Sequence, residues 1–139
     1  MSEGFIADSS VGVAWAVHSQ ASDATDQLLD DLASGTPLVV PSLWPFEVAN
    51  SLWVLLRRKR ILPEERDRAL DALAGLPLVV DDEGARLPFG RTSELAAEHG
   101  LSVYDAAYLE LALRRRLPLA TRDDALRKAA RDCRLKLLL

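Results

Sequence analysis

The sequence predicts an α/β domain built on a central, mostly parallel sheet. Three observations predict it. Short apolar runs of strand length alternate with longer segments of helical period along the whole chain. No internal repeat, low-complexity tract or linker-like stretch interrupts that alternation. The length of 139 residues suits one compact domain over 1–139, and 49% hydrophobic residues supply a real core.

Each element has its own justification. Phe5 to Asp8 reads as a buried first strand. Ser9 and Ser10 are suited to cap a helix over Val11 to His18. A second helix is expected from Asp23 to Ala33, ending at Gly35, with Asp23, Asp26, Asp30 and Asp31 on a solvated face. Leu38-Val39-Val40 is the second strand. Ser42 is placed to cap a long helix reaching Arg60, with Pro45 tolerated in its first turn. A helical segment follows Pro63 and stops at Gly75. Leu78-Val79-Val80 is the third strand, and the acidic run Asp81-Asp82-Glu83 after it reads as a solvated loop. Thr92 to His99 is helical and stops at Gly100. Val103 to Arg115 is apolar nearly all round, and so is expected to be buried. Leu117 to Thr121 is the fourth strand and Asp124 to Arg131 the last helix. Leu135 to Leu139 is expected to add a short edge strand, for four or five in all.

Composition excludes several function classes. No apolar run approaches the ~20 residues of a membrane span. Met1-Ser2-Glu3-Gly4 shows no secretory signal pattern. The single cysteine, Cys133, excludes an internal disulfide and a multi-cysteine zinc site. A reducing cytoplasm is the expected location. A net charge of −4 argues against nucleic-acid binding through bulk positive charge. Local charge differs: Arg57-Arg58-Lys59-Arg60 and Arg114-Arg115-Arg116 are concentrated, and arginines number 14 against 3 lysines. Arginine forks bind phosphate bidentately, although either cluster could equally complement a helix C-terminus.

Four acids sit at the ends of apolar segments: Asp8, Glu47, Asp105 and Asp123. A carboxylate in apolar surroundings must be paired, protonated or bound to a cation. Each alone has an ordinary reading. Asp8 and Asp123 suit turns or helix caps, and Glu47 and Asp105 suit the positive end of a helix dipole. Asp105 is the least ordinary, because aspartate is a poor helix former and its helix has little polar surface. Jointly they imply more. Asp8 and Asp123 fall at the carboxyl ends of predicted strands, where parallel α/β sheets bind ligands. Glu47 and Asp105 fall early in helices that can cover that edge. Four converging carboxylates would make a strong site for a hard divalent metal.

The segments Ile6-Ala7-Asp8-Ser9-Ser10, Pro45 to Leu52 (PFEVANSL), Leu101 to Tyr108 (LSVYDAAY) and Leu119-Ala120-Thr121-Arg122-Asp123 occur in the order found in PIN-domain nucleases. Together they span nearly the whole chain. The sequence resembles that family, and specifically the VapC-type toxins of bacterial toxin–antitoxin pairs. The resemblance implies a three-layer α/β/α PIN-like domain and a Mg²⁺ or Mn²⁺ site. It also implies RNA cleavage to 5′-phosphate and 3′-hydroxyl products. It carries Asp8, Glu47, Asp105 and Asp123 over as the acidic pocket, with Ser10 and Thr121 as polar supports and Asp124 as a secondary candidate. A homodimer and an antitoxin partner follow from it too, with Trp44, Trp53 and Leu56 as a possible interface. Oxygen ligands without His or Cys favour Mg²⁺ or Mn²⁺ over Zn²⁺. Two rival readings are an acidic-pocket receiver or phosphatase-like α/β domain and a catalytically silent PIN scaffold. The first lacks a lysine after its late strand, and the four intact acids oppose the second.

Overall fold

The computed structural model describes residues 3–139. Its four strands are β1 (Phe5–Ala7), β2 (Leu38–Pro41), β3 (Leu78–Asp81) and β4 (Leu119–Ala120). They form one sheet in the order β3-β2-β1-β4, parallel at every pairing. β1 and β2 are interior strands, so both faces of each must be apolar; all seven of their residues are buried. β3 lies at the edge, and there Val79 and Val80 are each 43% exposed.

Seven α-helices cover the sheet: α1 (Ser9–Ala16), α2 (Asp23–Ala33), α3 (Trp44–Arg57), α4 (Pro63–Ala74), α5 (Arg91–His99), α6 (Val103–Arg115) and α7 (Asp124–Asp132). α1 packs against α2, α3 and α4, whereas α6 packs against α5, α7 and the strands β1, β2 and β4. Two helical layers thus sandwich the sheet, as the sequence predicts. The chain builds outward from β1 to β2 to β3, then returns to place β4 on the other side of β1. The strand order therefore reverses between β1 and β4, the position where open α/β sheets form a crevice.

Several boundaries shift for local reasons. α1 starts earlier than expected, at Ser9, because Asp8 caps it and Ser9 and Ser10 lie inside it. The Ser42 cap does not form; Leu43 precedes α3 without a side-chain cap, and Pro45 occupies its first turn. β4 keeps only two paired residues. The expected C-terminal strand reduces to one parallel bridge between Leu119 and Leu137. Gly100 ends α5 with φ of 65°, the left-handed conformation that glycine adopts without strain. Trp44 is 2% exposed and so is not free for an interface, whereas Leu56 packs on the core but stays partly exposed. Trp44 lies across Gly12 of α1. A Cβ at Gly12 would stand 2.6 Å from the indole, so only glycine lets α1 and α3 approach this closely.

The acidic run after β3 is a larger correction. Asp81 is 1% exposed, not solvated. Its carboxylate accepts from Arg114 Nη1 at 2.9 Å, Arg114 Nη2 at 2.7 Å, Arg115 Nη2 at 2.9 Å and the Gly84 amide at 2.8 Å. Arg114 also donates Nε at 2.8 Å to Glu110, which is 4% exposed on α6. One guanidinium thus serves two buried carboxylates and ties α6 to the sheet edge. The Arg114 hydrogen bonds hold the Asp81 carboxyl far below the usual carboxylate range, against the cost of burial. Two of the arginines in the second basic cluster are consumed by this contact.

Removing one partner of such a pair strands a buried charge. Arg114→Met is expected to destabilise the fold by about 3 kcal/mol or more, because Glu110 loses its counter-charge and Asp81 keeps only Arg115. Denaturant unfolding checks this. Wild-type stability in Arg114→Met would show that water replaces the guanidinium without penalty.

Candidate functional site

The crevice between β1 and β4 collects the four acids noted in the sequence. Asp8 follows β1 directly and is 5% exposed. As the cap of α1 its carboxylate accepts the Ser10 amide at 3.1 Å and the Ser10 hydroxyl. Thr121, fully buried just after β4, donates its hydroxyl to the other Asp8 oxygen. The same Thr121 Oγ1 accepts the Asp123 amide at 3.0 Å, and Ser10 Oγ accepts the Arg122 amide at 3.2 Å. Two hydroxyls therefore stitch the loops after β1 and β4 together around one carboxylate.

Asp123 is exposed and caps α7, its Oδ2 accepting the Leu126 amide at 2.8 Å. Asp124 lies beside it, exposed in the first turn of α7. Glu47 is half-buried in the first turn of α3. Its Oε1 accepts the hydroxyl of Tyr108 at 2.5 Å. Asp105 is half-buried in the first turn of α6, whose cap is Ser102. The cap and dipole readings of these acids are thus correct in part, and they coexist with convergence.

Burial and neighbouring charge shift three of these acids. Burial raises the carboxyl pKa of Asp8, with the Ser10 and Thr121 hydrogen bonds opposing it. Burial also raises Glu47, and the charges of Asp105 and Asp8 raise it further against the pull of Tyr108. Asp105 is raised first by burial, then by the charges of Asp123 and Asp8. Glu47 and Asp105 each feel charge from other acids of the set, and no basic side chain is among the chief influences on Asp8, Glu47 and Asp105. Tyr108 is buried beside Glu47, which pushes its phenol far above the usual range and keeps it a donor.

The donor set fits a hard divalent cation: four carboxylates, two hydroxyls and no His or Cys. Among the described residues, however, no three of His, Cys, Asp and Glu stand close enough to clasp an ion as they are. The hydrogen bonds explain the spacing. Glu47 is drawn to Tyr108, Asp123 to the start of α7 and Asp8 to two hydroxyls, while like charge separates all of them. Tyr108 was not singled out from the sequence as a site residue. The signal was present, because a tyrosine inside a buried apolar helix needs a partner for its hydroxyl.

These shifts set the pH dependence of the metal-free protein. Asp8 and Asp105 start from 3.8 and Glu47 from 4.5, and all three rise on folding. Their stabilising contribution is present below those values and is lost as pH rises through the raised folded values. Asp81 has the opposite sign: its contribution is present above 3.8 and is lost as pH falls through its lowered value. In chelator, the melting temperature should therefore be higher at about pH 5 than at pH 7, and should fall again below about pH 4. Asp105→Asn should stabilise the protein at pH 7 by a few tenths to about 1 kcal/mol, discounted for solvent screening of a half-exposed group. An Asp105→Asn protein that melts well below wild type would assign Asp105 a purely structural role.

The model of the PIN domain family matches residues 5–132 of this chain. No curated protein matches it. Among solved structures, PAE2754 from Pyrobaculum aerophilum is 25% identical over 93% of this chain and 87% of that one, with a TM-score of 0.68. VapBC2 from Rickettsia felis, bound to a DNA fragment from its promoter, is 17% identical over 96% of each chain, with a TM-score of 0.65. FitAcB from Neisseria gonorrhoeae is 20% identical over 96% of this chain and 95% of that one, with a TM-score of 0.58. The last two likenesses establish a shared fold. With the family model covering nearly the whole chain, the protein belongs to the PIN domain family.

Proposed function

We propose that the protein is a Mg²⁺- or Mn²⁺-dependent endoribonuclease and the toxin of a VapC-type toxin–antitoxin pair. The observation that carries this reading is the meeting of Asp8, Glu47, Asp105 and Asp123 from four separate segments at the β1/β4 crevice. The carboxyl pKa values of Asp8, Glu47 and Asp105 are raised, first by burial, and no basic side chain is among the chief influences on them. Three similar structures, VapBC2, FitAcB and a toxin–antitoxin complex from Klebsiella pneumoniae, support the toxin assignment.

An acidic pocket and an RNA phosphate repel each other unless a cation lies between them. A bound Mg²⁺ or Mn²⁺ would supply that bridge, lower the pKa of a bound water and stabilise charge on phosphorus. Asp8, held by Ser10 and Thr121, is the fixed ligand of the set, and Glu47 and Asp105 complete it from the covering helices. Asp123 is the most open of the four and orients the attacking water. The homodimer proposed with this reading cannot use the buried Trp44, whereas Trp53 is 47% exposed and Leu56 only partly buried. Phe46 and Phe89, exposed at 81% and 104%, are the most exposed large apolar side chains that could join them. The antitoxin would cover the pocket with a basic side chain, because uncompensated carboxylates attract one. No helix among the described residues is long and apolar enough to cross a membrane.

Asp8→Asn, Glu47→Gln, Asp105→Asn and Asp123→Asn should each lower Mg²⁺-dependent RNA cleavage by roughly a hundredfold or more, with melting in chelator retained. Gel assays on defined RNAs check this, and wild-type rates in three of the four would remove the site. Sedimentation at micromolar concentration should show a dimer. Expression of the chain alone should halt growth, with the Asp8→Asn protein harmless. A strict monomer removes the dimer, and unrestrained growth with folded, active protein removes the toxin role.

A further inference from the structure

The second basic cluster is spent on Asp81, but the first is not. Arg57, Arg58, Lys59 and Arg60 are all exposed, and none makes an ion pair among the described residues. Capping α3 does not explain them. The last carbonyls of α3 are satisfied by backbone amides of Arg58, Lys59 and Arg60, from Val54, Leu56 and Leu55. Lys59 turns the chain with φ of 56°.

Two adjacent depressions that share Val54 lie between Ser10 and this cluster and form a groove. Ser10, Gln20, Asn50, Ser51, Val54 and Arg122 are among the residues that line the first. Ser10 is the residue whose hydroxyl holds Asp8, and Arg122 follows the buried Thr121. Val54 also lines the next depression, together with Arg57 and Arg58. Glu47, Asn50, Ser51, Val54 and Arg58 recur at helical spacing, so one stripe of α3 leads from the acids to the cations. Beside that stripe the Arg57 guanidinium lies 6.0 Å from the centroid of the Trp53 ring, and Trp53 is 47% exposed.

We propose that this groove is the path of a single-stranded RNA flanking the cleaved bond. Arg122 holds a phosphate close to the acids. Arg57 and Arg58 hold phosphates further along, and Trp53 offers a ring for base stacking. The ligand class follows from the lining. Cations without acidic partners, in a chain of net charge −4, call for phosphate. Neutral amides and hydroxyls beside an aromatic ring suit unpaired bases better than a duplex. The ten residue steps from Glu47 to Arg57 rise about 15 Å. A stacked strand at ~3.4 Å per nucleotide covers that in about four or five nucleotides. The proposal deepens the ribonuclease reading and rests on it.

The test measures binding of three- and ten-nucleotide single-stranded RNAs and a ten-base-pair RNA duplex to the full chain carrying Asp8→Asn, in Mg²⁺. The ten-nucleotide strand should bind more tightly than the other two. Adding Arg57→Gln and Arg58→Gln should weaken it roughly tenfold and flatten the salt dependence by about 1.4 in log–log slope, about 0.7 per lost phosphate contact. The corresponding double lysine variant should keep the slope. Trp53→Ala should weaken binding with the slope retained, and Trp53→Phe should recover most of the loss. Equal affinity and slope in the double glutamine variant would overturn the path. So would that variant keeping RNA affinity while losing a dimer seen in the parent, which would assign the surface to a second copy. If the otherwise wild-type chain cleaves RNA with Mg²⁺ while the arginine changes do nothing, the path alone fails. If it neither cleaves nor binds any of the RNAs, the ribonuclease reading fails and the path with it.

Discussion

Mutual repulsion among carboxylates at the β1/β4 crevice is the constraint around which this structure is arranged. Burial and like charge both raise the pKa of Asp105, and they act on Glu47 in the same direction. An arrangement of this kind costs stability and persists only if the surrounding fold is secured elsewhere. Three devices secure it here. The Ser10 and Thr121 hydroxyls hold Asp8 and join two loops. The Tyr108 hydroxyl restrains Glu47. The cap bond to the Leu126 amide restrains Asp123. Each supplies hydrogen bonds to a charged oxygen without supplying a positive charge, so the negative field of the crevice survives.

Positive charge is kept for other places. Arg114 and Arg115 close on Asp81 at the far edge of the sheet, and Arg114 also serves Glu110. This fastens α6, the helix whose first turn carries Asp105 and whose interior carries Tyr108. The site and the ion-pair network are therefore opposite ends of one rigid element. Close packing does the same for α3: Trp44 lies on Gly12, which sets the distance between Glu47 on α3 and Asp8 at the start of α1. The uncompensated arginines at the end of α3 complete the separation, with negative charge at the crevice and positive charge along one helix stripe.

Much of the architecture was legible because it rests on local rules. Continuous apolar runs at residues 5–7, 38–40 and 78–80 identify strands. Gly35 and Gly100 end helices, and Ser102 caps one. The four acids were recognisable because each breaks a local pattern, Asp105 most clearly. Misreadings arose where a long-range contact overrode the local rule. In the run Asp81-Asp82-Glu83, Asp81 looks solvated until α6 delivers Arg114 from 33 residues away, whereas Asp82 and Glu83 are exposed as expected. Leu135 to Leu139 has strand composition but finds only one bridge to β4. Trp44 looks available as an interface residue until Gly12 admits it to the core.

The sequence by itself determined the secondary elements, the acidic inventory and the class of cation those oxygens prefer, because these depend on residue type and near neighbours. Only the tertiary structure decided that Thr121 ties Asp8 to the loop of Asp123, since β1 and β4 are neighbours in the sheet but more than 100 residues apart in the chain. It alone decided which arginines are spent and which are free. Charge in a sequence has a sign but no partner, and partners separated by that much chain meet only through the parallel sheet and the helices packed on it.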